Sequence, residues 1–153
     1  MKKILGYISI IGIAAFAGNM INIGLSYGMH WQSLAPLAFR ESFQVDFPLL
    51  LGPTTATLMP AFLATLSLVF LSKENKAARQ HWLIALVALL LINIQTLAYH
   101  LPMNLDFMEI EFNATELSAK LNGWLFFHWL RIAVVIVAAV QAIIAFQKQT
   151  INN

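Results

Sequence analysis

Residues 122–147 read NGWLFFHWLRIAVVIVAAVQAIIAFQ, and the treatment of polar residues within this run decides the fold. The run is long enough to cross a hydrocarbon core, which takes roughly 20 predominantly apolar residues. Trp124, His128 and Arg131 stand at i, i+4 and i+7 and therefore share one helical face. A guanidinium holds its proton and is expensive in hydrocarbon, so an arginine here, with a histidine three residues before it, marks a polar site inside a membrane helix.

The rest of the chain has the same character. Of 153 residues, 59% are hydrophobic and only 10% charged, with a mean hydropathy of +0.73, which excludes an ordinary soluble domain and indicates one integral membrane domain over residues 1–153. The net charge of +2 comes from basic residues beside apolar spans, without the aromatic-interleaved basic patch that a nucleic-acid partner would need. The absence of cysteine removes disulfides, thiolate metal sites, iron–sulfur clusters and a thiol nucleophile.

Three more apolar runs, 4–25, 49–71 and 82–101, are each long enough to span. The first also imitates a secretory signal, with Lys2 and Lys3 followed by an apolar stretch and Ala15-Phe16-Ala17. The apolar pattern continues through Met20, Ile21, Ile23 and Leu25, which favours a retained helix. Residues 27–48 carry His30, Arg40, Glu41 and Asp46 among Trp31, Leu34, Leu37, Phe39 and Phe43, the pattern of a short amphipathic helix at the interface, with Pro36 in its first turn and Gln32 or Ser33 as cap. Within the second span Pro60 removes a backbone donor and is expected to bend the helix unless Thr57 or a neighbour satisfies the freed carbonyl. Pro102 is expected to stop the third span. Asn113 and Glu116 form a capping box that opens the helix leading into the fourth. The expected fold is an all-α transmembrane four-helix bundle, up-down-up-down, plus a short interfacial helix between helices one and two.

Lys2, Lys3, Lys73, Lys76, Arg79 and Lys148 gather on one side, leaving Arg40 and Lys120 on the other, so both termini are expected to be cytoplasmic, in a bacterial inner membrane. This topology brings polar groups to the outer half. Asn19 and Asn22 lie near the outer end of the first span, Asn93, Thr96 and His100 share a face of the third, and Asn104 follows it. Arg131 lies about 10 Å deeper than Trp124 at ~1.5 Å rise per residue, beyond easy reach of water, so it needs carbonyls, an anion or a hydrated cavity. The amide oxygens of Asn19, Asn22 and Asn93 are candidate partners within the chain.

Pro102-Met103-Asn104, followed after an acidic connection by Trp124, His128 and Arg131, resembles the pattern of the anthrone oxygenase-like integral membrane family, which has four spans, a Pro-x-Asn after the third and a Trp-x-x-x-His-x-x-Arg in the fourth. The architecture covers nearly the whole chain, and the motifs about its last third. The resemblance implies a monooxygenase that acts on anthrone-like or other electron-rich aromatic molecules with dioxygen and without a cofactor. It also implies catalytic roles for His128, Arg131 and Asn104. A neutral histidine would remove an acidic C–H or O–H proton while Arg131 and Asn104 stabilise the oxyanion. Trp124 would stack on a flat substrate, and His100, Asn93, Asn19 and Asn22 would complete the binding site.

Two other readings stand beside this one. His100 and His128 on neighbouring helices suit a haem b ligand pair or a quinone contact in an electron-transfer protein, and with His30 they make a metal set without sequence-local spacing. Alternatively His128 and Arg131 form an internal polar brace bonded to helix-one amides in a non-catalytic protein that binds a small molecule. The sequence leaves self-association open. The charge pattern makes a direct prediction for reporter fusions: one at Lys76 reads as cytoplasmic and one at Lys120 as external, and a cytoplasmic signal from Lys120 contradicts the orientation.

Overall fold

The computed structural model describes residues 1–151 and is all-α. Four long helices, α1 (Lys2–Gln32), α2 (Pro36–Leu71), α3 (Lys76–Glu109) and α4 (Ala114–Thr150), are each long and apolar enough to cross a bilayer. The protein is thus an integral membrane four-helix bundle. The shortest of the four has 31 residues, about 46 Å at ~1.5 Å per residue against a hydrocarbon core of about 30 Å, so all of them overshoot the lipid. α1 with α2 and α3 with α4 pack as two tight hairpins, which meet each other less densely.

That overshoot replaces the separate interfacial helix expected between the first two spans. Residues 27–32 continue α1, and Pro36 opens α2 at its first turn, so the expected amphipathic segment forms the adjoining ends of two spanning helices. Its aromatic spacing is helical in both arrangements: Phe39, Phe43 and Phe47 make one buried stripe on α2. Ala35 occupies the N-cap position without a side-chain bond, while Ser33 closes α1 by donating to the His30 carbonyl at 2.7 Å. Thr57 donates to the carbonyls of Pro53 and Thr54, so the carbonyl that Pro60 deprives of its amide, that of Ala56, is not the one it satisfies.

Pro102 does not end α3. The carbonyl its ring would strike, that of Ala98, lies in a π-helical turn over Thr96–His100, and the helix runs on to Glu109. A second π-helical turn, Ile23–Gly28, interrupts α1. α4 begins at the expected capping box, with Glu116 N–H donating to Asn113 Oδ1 at 3.0 Å and Asn113 N–H to Glu116 Oε2 at 3.3 Å. At the opposite end, Trp82 Nε1 donates to Gln149 Oε1 at 3.0 Å and Asn75 Nδ2 to the Lys148 carbonyl at 3.1 Å, fastening the α2–α3 turn to the end of α4.

The α1–α2 hairpin depends on Gly12, where an added Cβ would lie 2.9 Å from Ala61 Cβ and 3.2 Å from the Thr57 carbonyl oxygen, while at Gly18 it would meet nothing within 4 Å. Gly12→Ala is expected to destabilise the bundle by about 1–3 kcal/mol through overpacking against backbone. Gly18→Ala is expected to be neutral or to stabilise by up to about 1 kcal/mol. Unfolding in micelles titrated with a denaturing detergent checks the pair, and equal effects would contradict the packing.

Candidate functional site

The organising face of α4 sits where the two π-helical turns lie opposite it. Arg131 is 6% exposed. Its Nη1 donates to Thr96 Oγ1 on α3 at 3.2 Å and its Nη2 to His128 Nδ1 at 2.8 Å. Behind it, His128 Nε2 lies 2.8 Å from the Met20 carbonyl oxygen of α1. A carbonyl can only accept and a guanidinium can only donate, so His128 is the neutral tautomer with its hydrogen on Nε2 and its Nδ1 lone pair turned to Arg131. Gly24 makes room for this ring: a Cβ there would lie 3.2 Å from His128 Cδ2.

Arg131 therefore has a hydroxyl and an imidazole for partners and no carboxylate. Among the described residues the ion pair is Arg40 with Glu111, at the end of the bundle away from the termini. Arg131 Nε is buried without a hydrogen-bond partner. His100 is 1% exposed, and neither ring nitrogen has a partner of good hydrogen-bond geometry, although the main chain of Gln95 and of Trp124 lies close to the ring. Each unsatisfied buried group of this kind costs about 1–3 kcal/mol, more when charged.

These groups line one cavity of about 80 Å³, bounded by Thr96, His100 and Asn104 of α3, Trp124 and Arg131 of α4, Thr54 of α2 and apolar side chains of α1 and α2. Asn104 Oδ1 accepts from Trp124 Nε1 at 2.8 Å, which aligns the indole. Trp124 stacks on His128, with ring centroids 4.9 Å apart and planes 9° apart, and meets His100 edge-on at 5.4 Å. Trp31 roofs the space, packed against Trp124, Phe39 and Phe43 and tied by Nε1 to Asp46 Oδ2 at 3.1 Å.

No protein-family model, curated protein or solved structure matches the chain. The site rests on its own geometry.

Of the residues singled out by sequence, Arg131, Trp124, His100 and Asn104 come together around the cavity. His128 stands behind Arg131 with both nitrogens occupied, so the imidazole that bonds to no other side chain is His100. One face of Trp124 is covered by His128 and is not free for a ligand. The asparagines are placed differently from the expectation. Asn22 is exposed and accepts from Ser26 at 3.0 Å, Asn93 donates to the Leu89 carbonyl of its own helix at 2.8 Å, and Asn19 donates to Thr54 Oγ1 at 3.0 Å. None of the three is bonded to Arg131: Asn22 and Asn93 are satisfied within their own helices, and Asn19 is taken up by a hydroxyl on α2. The missing partner was Met20, whose contribution is a backbone carbonyl and carries no side-chain signal. Trp31 was legible only as an apolar member of an amphipathic stretch.

Haem does not fit these residues as placed. The His100 and His128 ring centroids are 6.2 Å apart, but His128 Nε2 is engaged by Met20, and a cavity of about 80 Å³ has no room for a porphyrin. His30 is exposed and lines a surface pocket with Asp46, apart from the other two histidines.

An uncompensated buried charge makes a stability prediction. In Arg131→Met, Thr96 loses the donor Nη1 but keeps its bond to the Ile92 carbonyl, and His128 keeps its bond to Met20, so only Nδ1 of His128 is left with no partner at all. Replacing a buried charge with an apolar residue of similar size is often neutral or stabilising by about 1–4 kcal/mol. The variant is expected to melt at the same temperature as the parent or higher in lipid nanodiscs, and a clear fall would mark Arg131 as a structural brace.

Proposed function

We propose that this protein is a membrane oxygenase of the anthrone oxygenase-like kind, acting without metal or flavin on a flat, weakly acidic aromatic ketone. The observation that carries this reading is a guanidinium with no carboxylate partner and a bare Nε, lining a mostly apolar cavity beside a buried imidazole that bonds to no other side chain. In a dry site, such donors stabilise developing negative charge more strongly than they would in water.

In this reading the ketone oxygen lies against Arg131 and the amide of Asn104, and the ring-bound CH2 faces His100. His100 takes a proton from that carbon, leaving an enolate whose oxygen is held by Arg131. Dioxygen accepts the electron pair of the carbanion in one-electron steps and forms a C–O bond. A proton returned from His100 gives the hydroperoxide, and loss of water leaves a second carbonyl. The balance is CH2 plus O2 to C=O plus H2O, with dioxygen as the oxidant. His128 is a positioning residue: backed by Met20, it fixes the guanidinium. Trp124 is a wall. The same reading places both termini in the cytoplasm of a bacterial cell and the site in the outer half of the inner membrane.

A second reading is favoured by the size of the cavity. About 80 Å³ is roughly half of a ≈150 Å³ cavity known to hold benzene, which suits capture of a single ligand oxygen, as in a quinone-binding protein without turnover.

The test is oxygen uptake and quinone formation from anthrone by the protein in nanodiscs, against empty nanodiscs. Uptake of one O2 per quinone above the spontaneous rate is expected. His100→Phe and Arg131→Met are each expected to lower the rate by about 100-fold, within the range for a lost general base or oxyanion donor. Equal rates with and without protein contradict an oxygenase. Tight anthrone binding without turnover favours the second reading.

A further inference from the structure

The cavity is too small for a three-ring molecule, so the body of any such ligand must lie outside it. Where the cavity opens therefore says where the ligand comes from. Among the large apolar side chains that line it, those of α1 and α4 are buried, and the strongly exposed ones are Leu51 of α2, at 47%, and Leu101 of α3, at 37%. The mouth is thus the seam between α2 and α3, and it faces the lipid.

The outward route is closed. A larger pocket of about 300 Å³ lies above the cavity between the α1–α2 turn and the start of α4, and Trp31 belongs to the walls of both. Trp31 is 1% exposed and held by four aromatic rings and by Asp46, which Ser42 also engages at 2.8 Å. Both lips of the seam, by contrast, sit where the helical hydrogen-bond ladder is broken. Leu51 lies between Pro48 and Pro53, and Leu101 lies between the π-helical turn and Pro102. Helix segments that lack backbone donors bend more readily than intact ones.

We propose that the Arg131 cavity is loaded sideways from the outer half of the bilayer, through the α2–α3 seam between Leu51 and Leu101. Its ligand is a membrane-dissolved lipophile that puts one oxygen-bearing edge into the cavity and leaves its remaining rings among the acyl chains. The identity of that oxygen-bearing edge rests on the function proposed above, and the route rests on geometry alone. The lipid supplies the volume that the cavity lacks.

The chain has no cysteine, so a single reporter thiol can test the route without any knowledge of the substrate. Ile23 is buried on α1 and lines the cavity. In nanodiscs, Ile23→Cys is expected to react with bilayer-dissolved N-phenylmaleimide, and at least about tenfold more slowly with a sulfonated, water-soluble thiosulfonate reagent. Adding Leu51→Trp or Leu101→Trp, both at lipid-exposed positions, is expected to slow the maleimide reaction by about tenfold, and adding Trp31→Ala to change it by less than about twofold. The proposal is overturned if Trp31→Ala speeds labelling while the seam tryptophans do not slow it, if the sulfonated reagent is as fast, or if the thiol does not react with the maleimide at all. These rates do not involve anthrone, so a failure of the oxygenase reading leaves them standing, and a failure of the route leaves the turnover result standing.

Discussion

The polar site is held together by one chain of hydrogen bonds running from Thr96 through Arg131 and His128 to the carbonyl of Met20, crossing from α3 through α4 to α1. Every link is neutral except the guanidinium. Each link also constrains the next: the carbonyl dictates the tautomer of His128, and the tautomer turns a lone pair toward Arg131. The two π-helical turns lie at the ends of this chain, one starting just after Met20 and the other containing Thr96. Widened turns of this kind cost helix stability and occur often at functional sites, and here they lie where α1 and α3 meet the polar groups of α4.

The distribution of unsatisfied groups favours a site over a brace. Elsewhere, buried polar side chains find each other, as Ser9 and Thr65 do at 2.7 Å. Three of the five buried side-chain atoms without partners among the described residues belong to His100 and Arg131, which border the same cavity. A brace would be expected to close its own hydrogen bonds, since a half-satisfied network is costlier than apolar packing. Open donors gathered around a void are the arrangement expected when a ligand supplies the remaining acceptors. Around them, Trp31, Phe39 and Phe43 pack over one end of the cavity.

Much of this was legible in the order of residues. Apolar run lengths give the four spans, and the i, i+4, i+7 spacing of Trp124, His128 and Arg131 puts them on one face. The Asn113–Glu116 capping box starts α4 where expected. Local rules failed where a wider helical turn intervened. Pro102 reads as a stop because sequence cannot show that Ala98 sits in a π-helical turn, and residues 27–48 read as a separate helix because charge marks the membrane boundary without ending a helix. The asparagines drew attention as polar groups in lipid, but Asn22 and Asn93 bond within their own helices and Asn19 bonds to Thr54 of α2. The partner that orients His128 is a backbone carbonyl, which any residue type could supply. Cavity size and the position of its mouth come from packing between distant segments and have no sequence signature.

The central claim is that the bare edge of Arg131 awaits a ligand oxygen. The most direct measurement is a dipolar-recoupling NMR distance in bilayers, between the side-chain nitrogens of Arg131 and the carbonyl carbon of 13C-labelled anthrone, with Arg40 and Arg79 replaced by lysine so that one guanidinium remains. A hydrogen bond from Nε or Nη to that oxygen predicts a nitrogen–carbon distance of about 4 Å. A bound probe whose carbonyl carbon shows no coupling to Arg131, so that it lies beyond roughly twice the hydrogen-bonded distance, contradicts the account.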